Sequence, residues 1–161
     1  MARPRATPTR TDATATQRMR FWLRHMKVQR QIENALRSRI KAEFGTTLPR
    51  FDVMSALAKY EDGLIMSAIS AELKTAAGNV TPIVDRLEAE GLVERRKTPE
   101  DGRATRVQLT AAGRAALARQ SAAIQDWIYE LAEPLTAAQA AQINDLFDAV
   151  LARLKEKEGR T

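Results

Sequence analysis

Residues 77–110 read AGNVTPIVDRLEAEGLVERRKTPEDGRATRVQLT, and the interpretation of this stretch decides the fold. Its first half is helical: Val80, Ile83, Val84 and Leu87 recur at the spacing that lines one helix face, and Gly91 supplies a stop. The period then changes to two. In the second of two short strands Val107 and Leu109 face one side while Arg106 and Gln108 face the other. Between the strands, Thr98-Pro99-Glu100-Asp101-Gly102-Arg103 supplies turn chemistry through its Pro and its Asp-Gly pair. A short helix running straight into a hairpin with a basic tip is the plan of a winged helix-turn-helix.

Upstream, the chain supplies what that plan needs. A helix begins after Thr46-Thr47 with Pro49 in its first turn, carries Phe51, Val53, Met54, Leu57 and Tyr60 on its inner face, and ends at Glu61-Asp62-Gly63. A brief extended piece, Leu64-Ile65, precedes a short helix from about Ser67 to Leu73, and a turn near Lys74-Thr75 leads into the opening helix. Two short helices joined by a tight turn form the unit whose second helix enters a major groove. Thr75 is the best side-chain cap, which makes Ala76 to Gly78 the first turn and leaves Pro82 inside the helix. Pro82 has no N–H, so the carbonyl of Gly78 loses its usual partner and the helix is expected to bend.

Further out, Met19, Trp22, Met26, Ala35, Leu36, Ile40 and Phe44 fit a helix over about 17–44 that Gly45 stops. Thr110 caps a helix through about Ala132 carrying Leu117, Ile124, Trp127, Ile128 and Leu131, with Pro134 beyond it. Thr136 and Gln139 make a capping box for a last helix with Ile143, Leu146, Phe147, Val150, Leu151 and Leu154. The fold class is mainly α with a small β wing. The expected organisation is a disordered basic arm over 1–16, a dimerisation helix over 17–47, the winged domain over 48–110, dimerisation helices over 111–157 and a tail over 158–161. The first and the last two helices have more apolar face than a compact head requires, so they are expected to pair with a second copy; an intramolecular bundle is the alternative.

Composition narrows the function classes. The 161 residues contain no cysteine and one histidine, which excludes disulfides, zinc fingers and thiol chemistry and leaves no basis for a metal site or other cofactor. No apolar run approaches the roughly 20 residues needed to span a bilayer, so a soluble cytoplasmic protein with no membrane partner is expected. An enzyme is disfavoured: Glu88 and Glu90 cannot face each other on a helix, and no serine or histidine stands in a nucleophile arrangement. The net charge is +6, but it is unevenly placed. Through residue 30 the chain carries Arg3, Arg5, Arg10, Arg18, Arg20, Arg24, Lys27 and Arg30 against Asp12 alone, whereas the remainder holds 18 basic and 19 acidic residues. This basic run reads equally as a solvated tail and helix face or as a phosphate contact, from DNA or from a phosphorylated ligand.

Over residues 17–155 the order of elements and several short strings resemble the MarR family of bacterial ligand-responsive transcription regulators. The most specific are Asp101-x-Arg103, then Val107-x-Leu109-Thr110 and Gly113; Val84-Asp85-Arg86-Leu87-Glu88 followed by Gly91-Leu92-Val93 matches the recognition helix and its exit. The resemblance implies a homodimeric repressor of double-stranded DNA, bound to a palindromic operator and released by a small molecule. Many members carry Arg where this chain has Pro82. Proline recurs there in a hydroperoxide-sensing branch, but that activity needs a cysteine and is not carried over.

Physical roles can be argued for the residues themselves. Arg103 at a hairpin tip can enter a minor groove, where a narrow A·T-rich segment concentrates negative potential, and Asp101 can hold its guanidinium in one orientation. Asn79 and Thr81, with Pro82, stand at the front of the recognition helix, within reach of base edges or phosphates. Arg86 reaches phosphate or pairs with Glu90 at i+4. Lys74, Thr75, Arg95, Arg96, Lys97 and Arg106 complete the expected DNA surface, chiefly as backbone contacts. For the effector, Trp22, Met26, Arg50, Phe51 and Trp127 are the candidate lining, with core packing as the alternative for each. The strings Leu48-Pro49-Arg50-Phe51-Asp52 and Gly78-Asn79-Val80-Thr81 resemble a branch that includes regulators responding to aromatic acyl-CoA thioesters. In that case Arg20, Arg24, Lys27 and Arg30 would bind the CoA phosphates. A winged-helix adaptor that binds a protein and not DNA is the alternative in another class, kept open by Pro82 and the near-neutral body.

Overall fold

The computed structural model describes residues 10–97 and 105–159. Their order is α1 (Arg10–Phe44), α2 (Leu48–Ala58), β1 (Leu64–Ile65), α3 (Met66–Glu72), α4 (Ala77–Ala89), β2 (Val93–Lys97), β3 (Thr105–Leu109), α5 (Ala111–Ala132) and α6 (Ala137–Glu158). The chain divides into two compact units, residues 1–120 and residues 121–161. Residues 98–104, with Asp101 and Arg103, and the first nine residues lie outside the described residues.

The core of the first unit follows from the helix spacing read in the sequence. Val80, Val84 and Leu87 of α4 are fully buried and meet Val53, Met54 and Leu57 of α2, Ile69 of α3, and Val93, Val107 and Leu109 of the sheet. Each such side chain contributes about 1.5–3 kcal/mol by leaving water. The strands form one antiparallel sheet in the order β1-β3-β2, with Val107 opposite both Leu64 and Arg95, and Arg106 opposite both Ile65 and Arg96. Along β3 burial alternates as expected, Val107 and Leu109 inward. The extended piece Leu64-Ile65 is a third strand of this sheet, a pairing that two residues are too few to announce by alternation.

Two helix starts differ from the sequence reading. α1 begins at Arg10 and not near Gln17, so residues 10–16 of the expected arm are helical. Residues 13–20 are exposed all round, and a helix with no buried side has no apolar stripe to read. The recognition helix begins one residue late: its N-cap is Ala76, with no side-chain cap. Thr75 instead accepts a hydrogen bond at Oγ1 from Asn79 Nδ2, 3.3 Å away. Pro82 does lie inside α4, and Gly91 follows its end at φ +71°. At α5 the hydroxyl of Thr110 accepts the N–H of Gly113 at 3.0 Å. In the second unit Thr136 and Gln139 form the complete capping box that opens α6.

Candidate nucleic-acid interface

The turn between α3 and α4 is closed by backbone bonds from Lys74 N to Ala71 O (3.1 Å) and from Thr75 N to Ser70 O (3.0 Å). Closing it puts Lys74 in the left-handed region at φ +49°, an unusual place for a residue with a side chain. The inward row Val80, Val84 and Leu87 leaves Asn79, Thr81, Pro82, Asp85 and Arg86 exposed, with Lys74 beside the helix start and Thr75 half-buried. Thr81 donates from Oγ1 to the carbonyl of Ala77 at 3.3 Å, holding that hydroxyl along its own helix. The expected front of the recognition helix is therefore assembled on one exposed surface.

This helix is acidic on its flank, and its carboxylates are met by arginines from other elements. Arg95 of β2 reaches Asp85 with Nη2 at 2.6 Å and Glu88 with Nη1, and its backbone N–H donates to Glu88 Oε1 at 3.2 Å. Arg50 of α2 pairs through Nη2 with Glu90. The hydrogen bond from Arg50 is the main reason the Glu90 carboxyl lies below its ordinary value, and Arg86 adds only a smaller attraction. The pairing of Arg86 with Glu90 anticipated as one option is thus replaced by Arg50. Neither arginine bridge was read from the sequence. The available signal was that Asp85 and Glu88, three apart on a helix, share a side that a cation from a neighbouring strand can serve.

The rest of the basic set divides. Arg96 pairs with Glu94 at 2.6 Å and Lys97 is exposed, both on the strand that leads to the wing tip. Arg106 is half-buried and donates from Nη1 to the carbonyl of Gly63 at 3.0 Å, tying β3 to the loop after α2. A Cβ on Gly63 would stand 2.3 Å from the Val107 carbonyl oxygen, so only glycine permits that approach.

The expected effector residues lie on α1, α2 and α5. On α1, Arg20, Arg24, Lys27 and Arg30 are exposed, as are Trp22 and Met26. His25 lies against the rings of Phe21 and Trp22, each with centroids 6.2 Å away. On α2, Phe51 packs partly buried on the core and Arg50 is occupied by Glu90. Trp127 belongs to the second unit and is half-buried. A crevice of about 410 Å³ that the sequence did not suggest opens between α2 and α4, walled by Pro49, Asp52, Leu73, Thr75, Asn79 and Ile83. Burial, and then the charge of Glu33, push the Asp52 carboxyl above its ordinary value. Among the described residues no group of histidine, aspartate and glutamate side chains could hold a metal ion, and no helix is long and apolar enough to cross a membrane.

The comparisons with known proteins agree with this geometry. A family model described as MarR family matches residues 44–104, which run from the end of α1 to the wing. The HTH-type transcriptional repressor IacR of Pseudomonas putida is 27% identical over 137 residues, covering 84% of this chain and 78% of that protein. The reduced form of MarR from E. coli is 31% identical with a TM-score of 0.68, covering 80% of this chain and 93% of that one. A mutant of the same E. coli protein complexed with operator DNA is 28% identical with a TM-score of 0.69, covering 80% and 91%. With helix-turn-helix, sheet and recognition-helix core all in place, the chain belongs to the MarR family of winged-helix transcriptional regulators.

Proposed function

We propose that this chain is a homodimeric repressor that binds a palindromic operator and is released by a small aromatic effector, an aromatic acid or its CoA thioester. The observation that carries the DNA reading is the exposed front of α4, where Asn79, Thr81, Pro82 and Arg86 share a surface while the carboxylates beside them are tied to Arg95 and Arg50. Lys74, Thr75, Arg96 and Lys97 flank it; Asp101 and Arg103, outside the described residues, belong to the proposed DNA contacts on the sequence reading alone. The structural relative bound to operator DNA supports the same reading.

The dimer reading rests on apolar surface. In a single chain Met19, Trp22 and Leu23 of α1 are 54–59% exposed. On α6 Leu146, Leu151 and Leu154 are 51–61% exposed. A second copy covers such faces, and two recognition helices about 34 Å apart then meet successive major grooves. The effector reading rests on the exposed basic set Arg20, Arg24, Lys27 and Arg30, which suits CoA phosphates, with Trp22 and Met26 exposed on the same helix as the proposed contacts for an aromatic group. An effector that prefers a dimer spacing unlike that of the DNA complex lowers operator affinity by population shift.

The test is a duplex selected by the protein from a randomised library, followed by displacement with a panel of free aromatic acids and their CoA esters. Selection of an inverted repeat, and its release by members of one compound class, is expected. Failure of every acid and ester to release the duplex sinks the effector assignment while leaving DNA binding standing.

A further inference from the structure

We infer that Arg95 and Arg50 act in DNA recognition without touching DNA: they neutralise and brace the acidic flank of α4, and so are positioning residues. The inference rests on the DNA-binding reading above and deepens it.

Taken alone, the recognition helix is a poor partner for a polyanion. It carries Asp85 and Glu88, with Glu90 at its end, against Arg86, and duplex DNA presents one negative charge per about 1.7 Å of axis. Each of those carboxylates is met by an arginine from outside the helix. Arg95 spends both terminal nitrogens on α4, one on Asp85 at 2.6 Å and one on Glu88, and adds its backbone N–H to Glu88 at 3.2 Å. Its side chain is 28% exposed, whereas that of Arg96, the next residue, is 62% exposed. Arg50 is more covered still, at 12%, and holds Glu90.

An arginine committed in this way cannot grip a phosphate without releasing carboxylates that would then repel the same DNA. Arg96 and Lys97 face no such conflict over α4. Arg95 also joins the two elements expected to contact DNA, because β2 leads into the wing and α4 carries the base-facing residues. Latched by a backbone bond as well as a forked side chain, the root of the wing and the recognition helix are held at one spacing. Removing the carboxylates frees Arg95 to bind any phosphate, so the bridge also suppresses binding to unrelated sequence.

The test measures affinity against salt for a duplex selected by the wild-type protein and for a scrambled duplex of the same composition. Arg95→Met is expected to lose about tenfold in affinity for the selected duplex, with an unchanged salt slope. Adding Asp85→Asn and Glu88→Gln to that variant is expected to recover most of the loss, because no uncompensated carboxylate remains. The two acid substitutions in the wild-type background are expected to raise affinity for the scrambled duplex. A slope that falls by about 0.9 in Arg95→Met, with no recovery in the triple variant, overturns the inference and makes Arg95 a phosphate contact. Unchanged affinity in Arg95→Met overturns it equally. If both variants fail to fold by circular dichroism, the bridge belongs to stability and the inference is also overturned. A wild-type protein that selects no duplex instead defeats the DNA reading itself, a distinct result.

Discussion

Gly113 lies so close to Leu92 that a Cβ on the glycine would stand 1.9 Å from the Leu92 carbonyl oxygen. That oxygen also accepts the N–H of Thr110 at 3.1 Å, and the Thr110 hydroxyl bonds the carbonyl of Gly91 at 2.7 Å. The first turn of α5 is thereby locked to the exit of the recognition helix. Gly113→Ala is expected to destabilise the fold by about 1–3 kcal/mol, since backbone on both sides must shift. Urea denaturation checks this, and an unchanged midpoint would show that the joint is looser than described.

Lys74 separates stability from binding. At φ +49° it bears a left-handed penalty of about 1–2 kcal/mol that glycine does not, offset by glycine's greater loss of chain entropy, about 0.5–1 kcal/mol. Lys74→Gly is therefore expected to match or exceed the wild-type thermal midpoint while binding operator more weakly, with a salt slope smaller by about 0.9. A lowered midpoint would contradict the strain argument, and unchanged affinity would remove Lys74 from the DNA surface.

Two carboxyls should titrate in opposite directions. Asp52 is raised above 3.8 by burial and then by Glu33, so its ionised form disfavours the fold; the stability associated with its proton is full below 3.8 and lost as pH rises through its folded pKa. Asp52→Asn should therefore equal or exceed the wild type in thermal midpoint at pH 7, with the difference closing below pH 3.8. Glu90 is lowered beneath 4.5 by Arg50, so its contribution is present above 4.5 and lost as pH falls through the depressed value. Carboxyl NMR titration checks both, and Arg50→Met should return Glu90 toward its ordinary range.

What was legible in the sequence was whatever local periodicity encodes. The buried row Val80, Val84 and Leu87, the alternation of Val107 and Leu109, and the capping box at Thr136 all state their geometry within a few residues. Contacts across the fold were not legible. Arg50 meets Glu90 across 40 positions and Arg106 meets Gly63 across 43, and nothing in a single sequence couples such pairs. Thr75 had the right chemistry for a cap, but α4 starts at Ala77 after a turn that directs the Thr75 hydroxyl to the Asn79 side chain. Arg95 counted as a phosphate contact in the sequence because charge alone cannot show that Asp85 and Glu88 lie nearer.

The central claim is that the exposed front of α4, together with the wing, recognises DNA. Its most direct measurement is a fluorescence-anisotropy titration of the purified protein against duplexes tiled across the region upstream of its own gene, repeated at several salt concentrations and with Arg86→Ala. The expected result is preferential binding to a tile containing an inverted repeat, log affinity that falls linearly with log salt, and a slope smaller by about 0.9 in the variant. Equal binding to every tile with a flat salt response, in the wild type and the variant alike, would contradict the claim.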